Sequence, residues 1–425
     1  MKSGRRTFVK SAAAAVAATS VWPERLAAAP QTSKLPPSVA ALKPYPGTAV
    51  PIADDERRGR IEKARRLMTE NGMGAIALEP GTSMNYFVNV QWGLSERPFL
   101  LVIPAKGDLA YVTPGFEENR ARELTKFTND VRVWQEDEDW GRVVGGILAD
   151  RGVRTGKVGI EERVRFFIAE GLRGGAPSIE FVLATPVTAG CRVIKSPAEI
   201  ALMQRANDIT IEAYRAAFAA LAEGMTQFDF NRNVRAAFEA LGAPSGGAGA
   251  QFGQASAFPH GSIQPQRLKK GDVVLVDGGC TVEGYQSDIT RTTVFGTPSR
   301  RQADVWNLEK SAQTAAFKAA QVGATCESVD AAARKVITDA GFGPGYKVPG
   351  LPHRTGHGIG MDGHEWTNFV RGNTTKIAPG MCFSDEPMIA IYGAFGIRLE
   401  DCLHITEEGA RFFTKQSPSI EQPFA

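Results

Sequence analysis

Apolar side chains recur at helical spacing in several long stretches of this chain, and shorter apolar runs fill the gaps between them. The first helical pattern, from Arg57, turns Ile61, Ala64, Leu67 and Met68 inward and stops at Asn71-Gly72, a C-terminal signal. GAIALE, PFLLVIP and LAYVTP follow as runs of strand length. Helices and strands alternate to about Thr188, which predicts an α/β domain. Ser196-Pro197 then opens a long helix, SPAEIALMQRANDITIEAYRAAFAALAEG. Proline in a first helical turn forfeits little, because its missing N–H would have no partner there. A second helix, DFNRNVRAAFEALG, ends in glycine, and GDVVLVDGGC and YQSDITRTTVFG read as strands.

That order of elements repeats. SRRQADVWNLEKSAQTAAFKAAQVG and VDAAARKVITDAGFG are helical patterns, and MCFSDEPMIAIYG and GIRLEDCLHIT are strand patterns. Two helices followed by strands, twice over, predict an internal duplication whose halves pack as one layered α+β domain around a shared cleft, a natural ligand site.

Charge interrupts these strands in one respect. Asp277 and Asp288 lie in the strands of the first half, and Glu386 and Glu400 in those of the second. A carboxylate within an apolar strand is costly unless it is paired or holds a metal. Three of the five histidines crowd into HRTGHGIGMDGHE, residues 353–365. His353 and His357 have the spacing of a helical zinc motif, but Gly356, Gly358, Gly360 and Gly363 each weaken a helix by about 1 kcal/mol. The segment therefore reads as loop and strand. The glycine-rich PSGGAGAQFGQASAFPHG lacks the lysine signature of a phosphate loop and reads as a loop presenting His260.

Composition narrows the class. The chain has 425 residues, 43% apolar and 22% charged, with net charge +3, as expected of a soluble globular protein of two or three domains. It has no basic tract for nucleic acid. Cys191, Cys280, Cys326, Cys382 and Cys402 are scattered and read as small buried hydrophobes rather than a disulfide framework. Residues 1–29 have the layout of an export signal, and Arg5-Arg6 with Phe8 and Lys10 resembles a twin-arginine signal, so the expected location is exported or periplasmic. Residues 30–52 form a Pro-rich linker that disfavours regular structure. No membrane span is expected in the mature protein. The remaining divisions fall at 53–190 and 191–425.

D-G-G, D-x-T-R-T, H-x3-H-G-x-G-x3-H-E, S-x-E-P and R-x-E-D, in this order between Ser196 and Glu408, resemble the pita-bread metallopeptidases, most closely the prolidase and Xaa-Pro aminopeptidase branch. Residues 53–190 resemble a creatinase-type N-terminal domain in layout only. The resemblance implies a pita-bread catalytic domain with a pseudo-twofold repeat and a dinuclear metal site. Asp277 and Asp288 would hold one ion, and His357 and Glu386 the other; Asp288 would reach both and Glu400 would bridge them. Oxygen-rich ligation with one imidazole suits Mn²⁺ or Co²⁺, with Zn²⁺ as a further option. Glu386 would also act as general base, His260 and His364 would bind the substrate carbonyl or oxyanion, and His353 would shape the pocket or bind a substrate carboxylate. Arg398, two positions before Glu400, would orient a ligand carboxylate, and His404 reads as structural. Gly363, Thr367 and Met388 depart from the family pattern near the pocket and bear on substrate identity. The expected reaction is cleavage of Xaa-Pro bonds in dipeptides or short peptides, by a homodimer. The alternatives are hydrolysis of a non-peptide amide or a lyase reaction on a small molecule such as a sulfonium compound. A binding protein without catalysis need not keep five ligands.

Overall fold

The computed structural model describes residues 34–425. The expected export signal lies outside them, as does the start of the Pro-rich linker. The rest of that linker carries a short helix, α1 (Pro37–Ala40), and Val39 and Ile52 are buried in the core, so this stretch packs against the body of the protein.

Helix α2 (Asp54–Glu70) begins with three acidic residues, which suit the positive end of a helix, and closes at Asn71 with Gly72 at positive φ. It buries Ile61, Ala64 and Met68, while Leu67 is half-buried. There follow β1 (Met73–Leu78), α3 (Thr82–Val88), β2 (Leu100–Pro104), β3 (Ala110–Pro114), α4 (Glu118–Leu124), β4 (Val131–Trp134), α5 (Trp140–Asp150), β5 (Gly156–Ile160), α6 (Phe166–Gly175), β6 (Ile179–Leu183) and α7 (Thr185–Arg192). The strands form one six-stranded sheet in the order β4-β3-β2-β1-β5-β6. Its pairs are parallel except for β1–β2 and β2–β3, and helices cover it. This is the α/β domain.

The second part begins with α8 (Pro197–Phe218) and α9 (Gln227–Ala240). Next come β7 (Gly247–Phe252), β8 (Val273–Gly279), β9 (Thr281–Val282), β10 (Tyr285–Gln286) and β11 (Ile289–Val294). Helices α10 (Arg300–Ala319) and α11 (Cys326–Asp339) repeat the pair. The chain ends with β12 (Gly356–Gly358), β13 (Glu365–Phe369), β14 (Cys382–Asp385), β15 (Met388–Ile391), β16 (Phe395–Arg398), β17 (Asp401–Thr406) and β18 (Gly409–Phe412). The main sheets are β11-β8-β7 and β13-β12-β14-β17-β18.

The duplication is visible in hydrogen bonds. Helices α8 and α10 both start with a serine whose hydroxyl and a side chain three residues on cap each other, Ser196 with Glu199 and Ser299 with Gln302. Before the second helix of each half, Gly224 N–H donates to Leu268 O at 2.7 Å, and Gly323 N–H donates to Ile377 O at 2.8 Å. Leu268 and Ile377 then donate back to Met225 and Ala324, both at 2.9 Å. Asp277 and Glu386 each stand nine residues beyond these partners, so the repeat carries its acid to equivalent places.

The strands themselves differ from the sequence expectation. Three segments that read as continuous strands are broken, and each break falls at or beside an acidic residue: Asp288 between β10 and β11, Glu386 between β14 and β15, Glu400 between β16 and β17. Pro387 cannot donate to a ladder, and β15–β16 form a separate two-stranded sheet, so the chain changes sheets there. Conversely, the glycine-rich segment before His260 includes a true strand, β7, paired along β8, and then a short 3-10 helix, Gly253–Ala257, that leads to His260.

Candidate metal centre

Asp277 lies on β8, opposite Thr290 of β11. The Thr290 hydroxyl lies 3.0 Å from Asp277 Oδ1 and 2.7 Å from Glu400 Oε2. Thr290 also pairs with Glu400 through an isolated backbone bridge. One threonine thus ties the acid of the first half to that of the second.

His357 lies in the middle of β12, framed by glycines for a steric reason. A Cβ on Gly356 would come within 2.1 Å of Ser384 O, and one on Gly358 within 2.8 Å of Glu365 O. Only glycine lets neighbouring strands close on both sides of this histidine. Its backbone N–H donates to Ser384 Oγ at 3.0 Å, and that hydroxyl lies 3.3 Å from Glu386 Oε1.

The side chains converge. His357 Nε2 is 3.2 Å from Glu386 Oε1 and 3.7 Å from Asp288 Oδ2. Donor atoms of Asp288, His357 and Glu400 all lie within 4.8 Å of one another. His357, Glu386, Arg398 and Glu400 are all buried. Arg398, at the end of β16, reaches Asp277 Oδ2 at 2.5 Å through Nη2 and Thr290 Oγ1 at 3.0 Å through Nε. Its partner is thus the Asp277 carboxylate, and Glu400 lies beyond the strand rather than on its face.

The electrostatics match a cation cage. Burial, then repulsion from Asp277 and Glu386, raises the Asp288 carboxyl well above its usual range. Burial and the carboxylates of Asp288, Glu386 and Asp277 do the same to Glu400. Burial pushes the His357 imidazole down to about 4, so it is neutral near pH 7. Its Nδ1 is 3.1 Å from Gly358 O, and a carbonyl only accepts, so Nδ1 carries the proton. The bare Nε2 lone pair then faces carboxylate oxygens, an arrangement that calls for a cation between them. Glu400 Oε1 is buried with no hydrogen-bond partner among the described residues, a second open coordination position. Four carboxylates and one neutral imidazole fit divalent ions chemically.

A cavity of about 750 Å³ opens over this cage. His260, His353, His364, Tyr346 and Arg354 line it together with Asp277, Asp288, His357, Glu386, Arg398 and Glu400. The structure thus gathers every sequence-nominated residue of the site in one place. The His364 ring lies 4.1 Å from that of His357, and burial, then His357, lowers its pKa to about 4. His353 donates from Nδ1 to Arg354 O at 2.7 Å; burial also lowers its pKa, so it is a neutral wall residue. His404 sits away from the cavity against Phe413. Gly363, Thr367 and Met388 lie near this cavity in the chain, beside or close to His364 and Glu386, but do not themselves line it. Thr367 and Met388 are buried in sheets, because their strands turn these side chains into the packing layer. Sequence reasoning passed over Thr290, Ser384 and Arg354. Thr290 lies two positions after Asp288 and Ser384 two before Glu386, within quoted motifs, but their contacts cross between chain segments.

This architecture places the chain in a known class. It belongs to metallopeptidase family M24, whose family model matches residues 201–407, and the creatinase/prolidase N-terminal domain matches residues 60–194. The chain is 37% identical over 387 residues to an uncharacterized peptidase of Schizosaccharomyces pombe, covering 86% of this chain and 83% of that one. It is 31% identical over 362 residues to an Xaa-Pro dipeptidase of Pyrococcus furiosus, covering 84% and 97%. The crystal structure of dipeptidase PepE from Mycobacterium ulcerans superposes with a TM-score of 0.81 at 29% identity, covering 88% of this chain and all of that one. The comparisons give no support to the non-peptide amide or sulfonium readings.

Proposed function

We propose that this metallopeptidase cleaves Xaa-Pro bonds in dipeptides or short peptides at a two-ion centre formed by Asp277, Asp288, His357, Glu386 and Glu400. The observation that carries the reading is the neutral His357 Nε2 turned toward Asp288 and Glu386 at the floor of a peptide-sized cavity. The Xaa-Pro dipeptidase names among similar proteins support the substrate. When bound, divalent cations supply Lewis-acid activation of water and of the scissile carbonyl. Oxygen-rich ligation favours Mn²⁺ or Co²⁺.

The chain's own groups do the rest. Glu386 takes up the proton of the attacking water and passes it to the leaving amine. Its Oε2 lies 4.0 Å from Arg398 Nη1, which keeps the carboxylate aligned. His364, neutral because of its depressed pKa, donates an N–H to the carbonyl oxygen, and His260 lies on the same wall. Such donors lower the barrier by about 3 kcal/mol each.

Purified protein loaded with Mn²⁺ or Co²⁺ is expected to hydrolyse Ala-Pro, to lose that activity with chelator, and to be inactive as His357→Ala. Stoichiometric metal binding without cleavage of any Xaa-Pro peptide would defeat the substrate assignment. Full activity in the His357 variant would defeat the site.

A further inference from the structure

The two halves of the duplication meet where β11 passes the residues between β16 and β17, and no ladder joins them there. Among the described residues these segments share one isolated backbone bridge, Glu400 N–H donating to Thr290 O at 3.2 Å. Side chains of β11 supply the other bonds. Thr290 Oγ1 lies 2.7 Å from Glu400 Oε2, and Thr292 Oγ1 donates to Arg398 O at 2.6 Å. Between these threonines Arg291 takes the opposite face of the strand. It is fully buried and does not line the metal cavity.

Arg291 spends both arms of its guanidinium on this seam. Its Nη1 donates to Glu400 O at 2.8 Å and to Thr290 O at 3.1 Å. Its Nη2 donates to Asp401 Oδ1 at 2.7 Å and to Lys415 O at 3.1 Å. The main chain of Glu400 is thus bound to β11 through both its N–H and its carbonyl. Asp401, the partner of Arg291, is itself held from α10. Its Oδ2 accepts from Gln313 Nε2 at 3.1 Å, and Gln416 Nε2 donates to Gln313 Oε1 at 2.8 Å. Asp401 and Gln313 are fully buried as well.

A buried ion pair is a poor source of stability, because desolvation offsets much of its attraction and apolar side chains of like volume serve as well or better. What a guanidinium adds is geometry. It is planar and rigid, and its donors stand at fixed separations, so it sets the distance between the groups it joins. Here it joins the main chain of Glu400, from one half, to that of Thr290, two residues past Asp288, from the other.

We propose that Arg291 is a positioning residue of the metal centre. By tying Glu400 O, Thr290 O and Asp401 together it fixes the spacing between the acids of the two halves, and it acts through Glu400 without touching ion or substrate. The proposal rests on the two-ion reading given above.

Calorimetric titration with Mn²⁺ tests this on the wild type, on Arg291→Lys and on the double variant Arg291→Met, Asp401→Leu. Each titration runs well below the thermal midpoint of that metal-free protein, so the Kd belongs to the folded state. Lysine keeps the charge beside Asp401 but is a single-point donor that cannot bridge both carbonyls. The double variant replaces the ion pair by apolar side chains. A pair that only stabilises the fold predicts that it melts at or above the wild-type midpoint and binds Mn²⁺ with unchanged Kd. The positioning role predicts that Kd for Mn²⁺ rises about tenfold or more in both variants. A wild-type Kd in either folded variant overturns the proposal. Should the double variant show no cooperative melting, the lysine variant decides alone. A wild type that binds fewer than two ions overturns the two-ion reading and this role with it. Two ions held equally well by the wild type and the variants overturn only the role of Arg291.

Discussion

His357 shows how one side chain states the chemistry of a site. Its Nδ1 proton is committed to Gly358 O, and its free nitrogen looks at oxygens that would repel it. Burial and mutual repulsion lift the Asp288 and Glu400 carboxyls well above the usual range, so both favour the protonated form. Metal binding needs the ionised carboxylate, so a carboxyl raised in this way gives up its proton when metal enters. Titration of the metal-free protein with Mn²⁺ at pH 7 is expected to release about one to two protons per molecule. They are read from the dependence of binding enthalpy on the ionisation enthalpy of the buffer, and a flat dependence would show the acids already ionised. The five candidate donors were legible in the sequence because their motifs resemble those of the metallopeptidases; acids in apolar strands and a glycine-framed histidine pointed the same way. Arg354 was not legible. What distinguishes it is the lack of a side-chain partner among the described residues, which no string of residues displays.

At the scale of elements, the informative departure is the breaking of strands at Asp288, Glu386 and Glu400. Alternation along a sequence predicts which residues face one way, but not that a strand leaves one sheet for another. Those departures bring carboxylates from different ladders to one point. Glu365, the first residue of β13, shows a second element-level device. It accepts from Lys195 at 2.9 Å, from Arg192, and from the backbone N–H of Met361 at 2.9 Å, which anchors the strand after His364 to the end of α7. These cations hold its carboxyl down at about 2 despite burial. Glu365→Gln leaves buried cations uncompensated and is expected to cost about 3–5 kcal/mol, read as a lower urea midpoint. The sign with pH follows from the depressed value. The carboxylate's contribution is fully present above the unfolded-state pKa near 4.5 and fades as pH falls toward about 2. The gap between wild type and variant should therefore narrow over that window. A gap independent of pH would mean that packing, not charge, holds the strand.

For the whole molecule, the repeated halves supply acids to a shared centre, so the metal-free protein concentrates buried, mutually repelling carboxyl groups at the seam between them. Ligands that bind only the folded state stabilise it, by about 2.7 kcal/mol at a hundredfold excess over Kd. Mn²⁺ is expected to raise the thermal midpoint of the wild type. The double variant Asp288→Asn, Glu400→Gln is expected to melt higher than the metal-free wild type and to gain nothing from Mn²⁺. A metal-induced rise that survives in the double variant would place the ions elsewhere.

The sequence by itself determined the two-part organisation and the duplication and nominated the candidate donors, because periodicity, capping residues, motifs and misplaced charge are local properties of a chain. Only the tertiary structure decided which oxygen faces which nitrogen, that Thr290 joins the two halves, and that Arg354 has no side-chain partner among the described residues. Those are relations between segments up to a hundred or more residues apart, set by how sheets close on one another rather than by any residue's own preference.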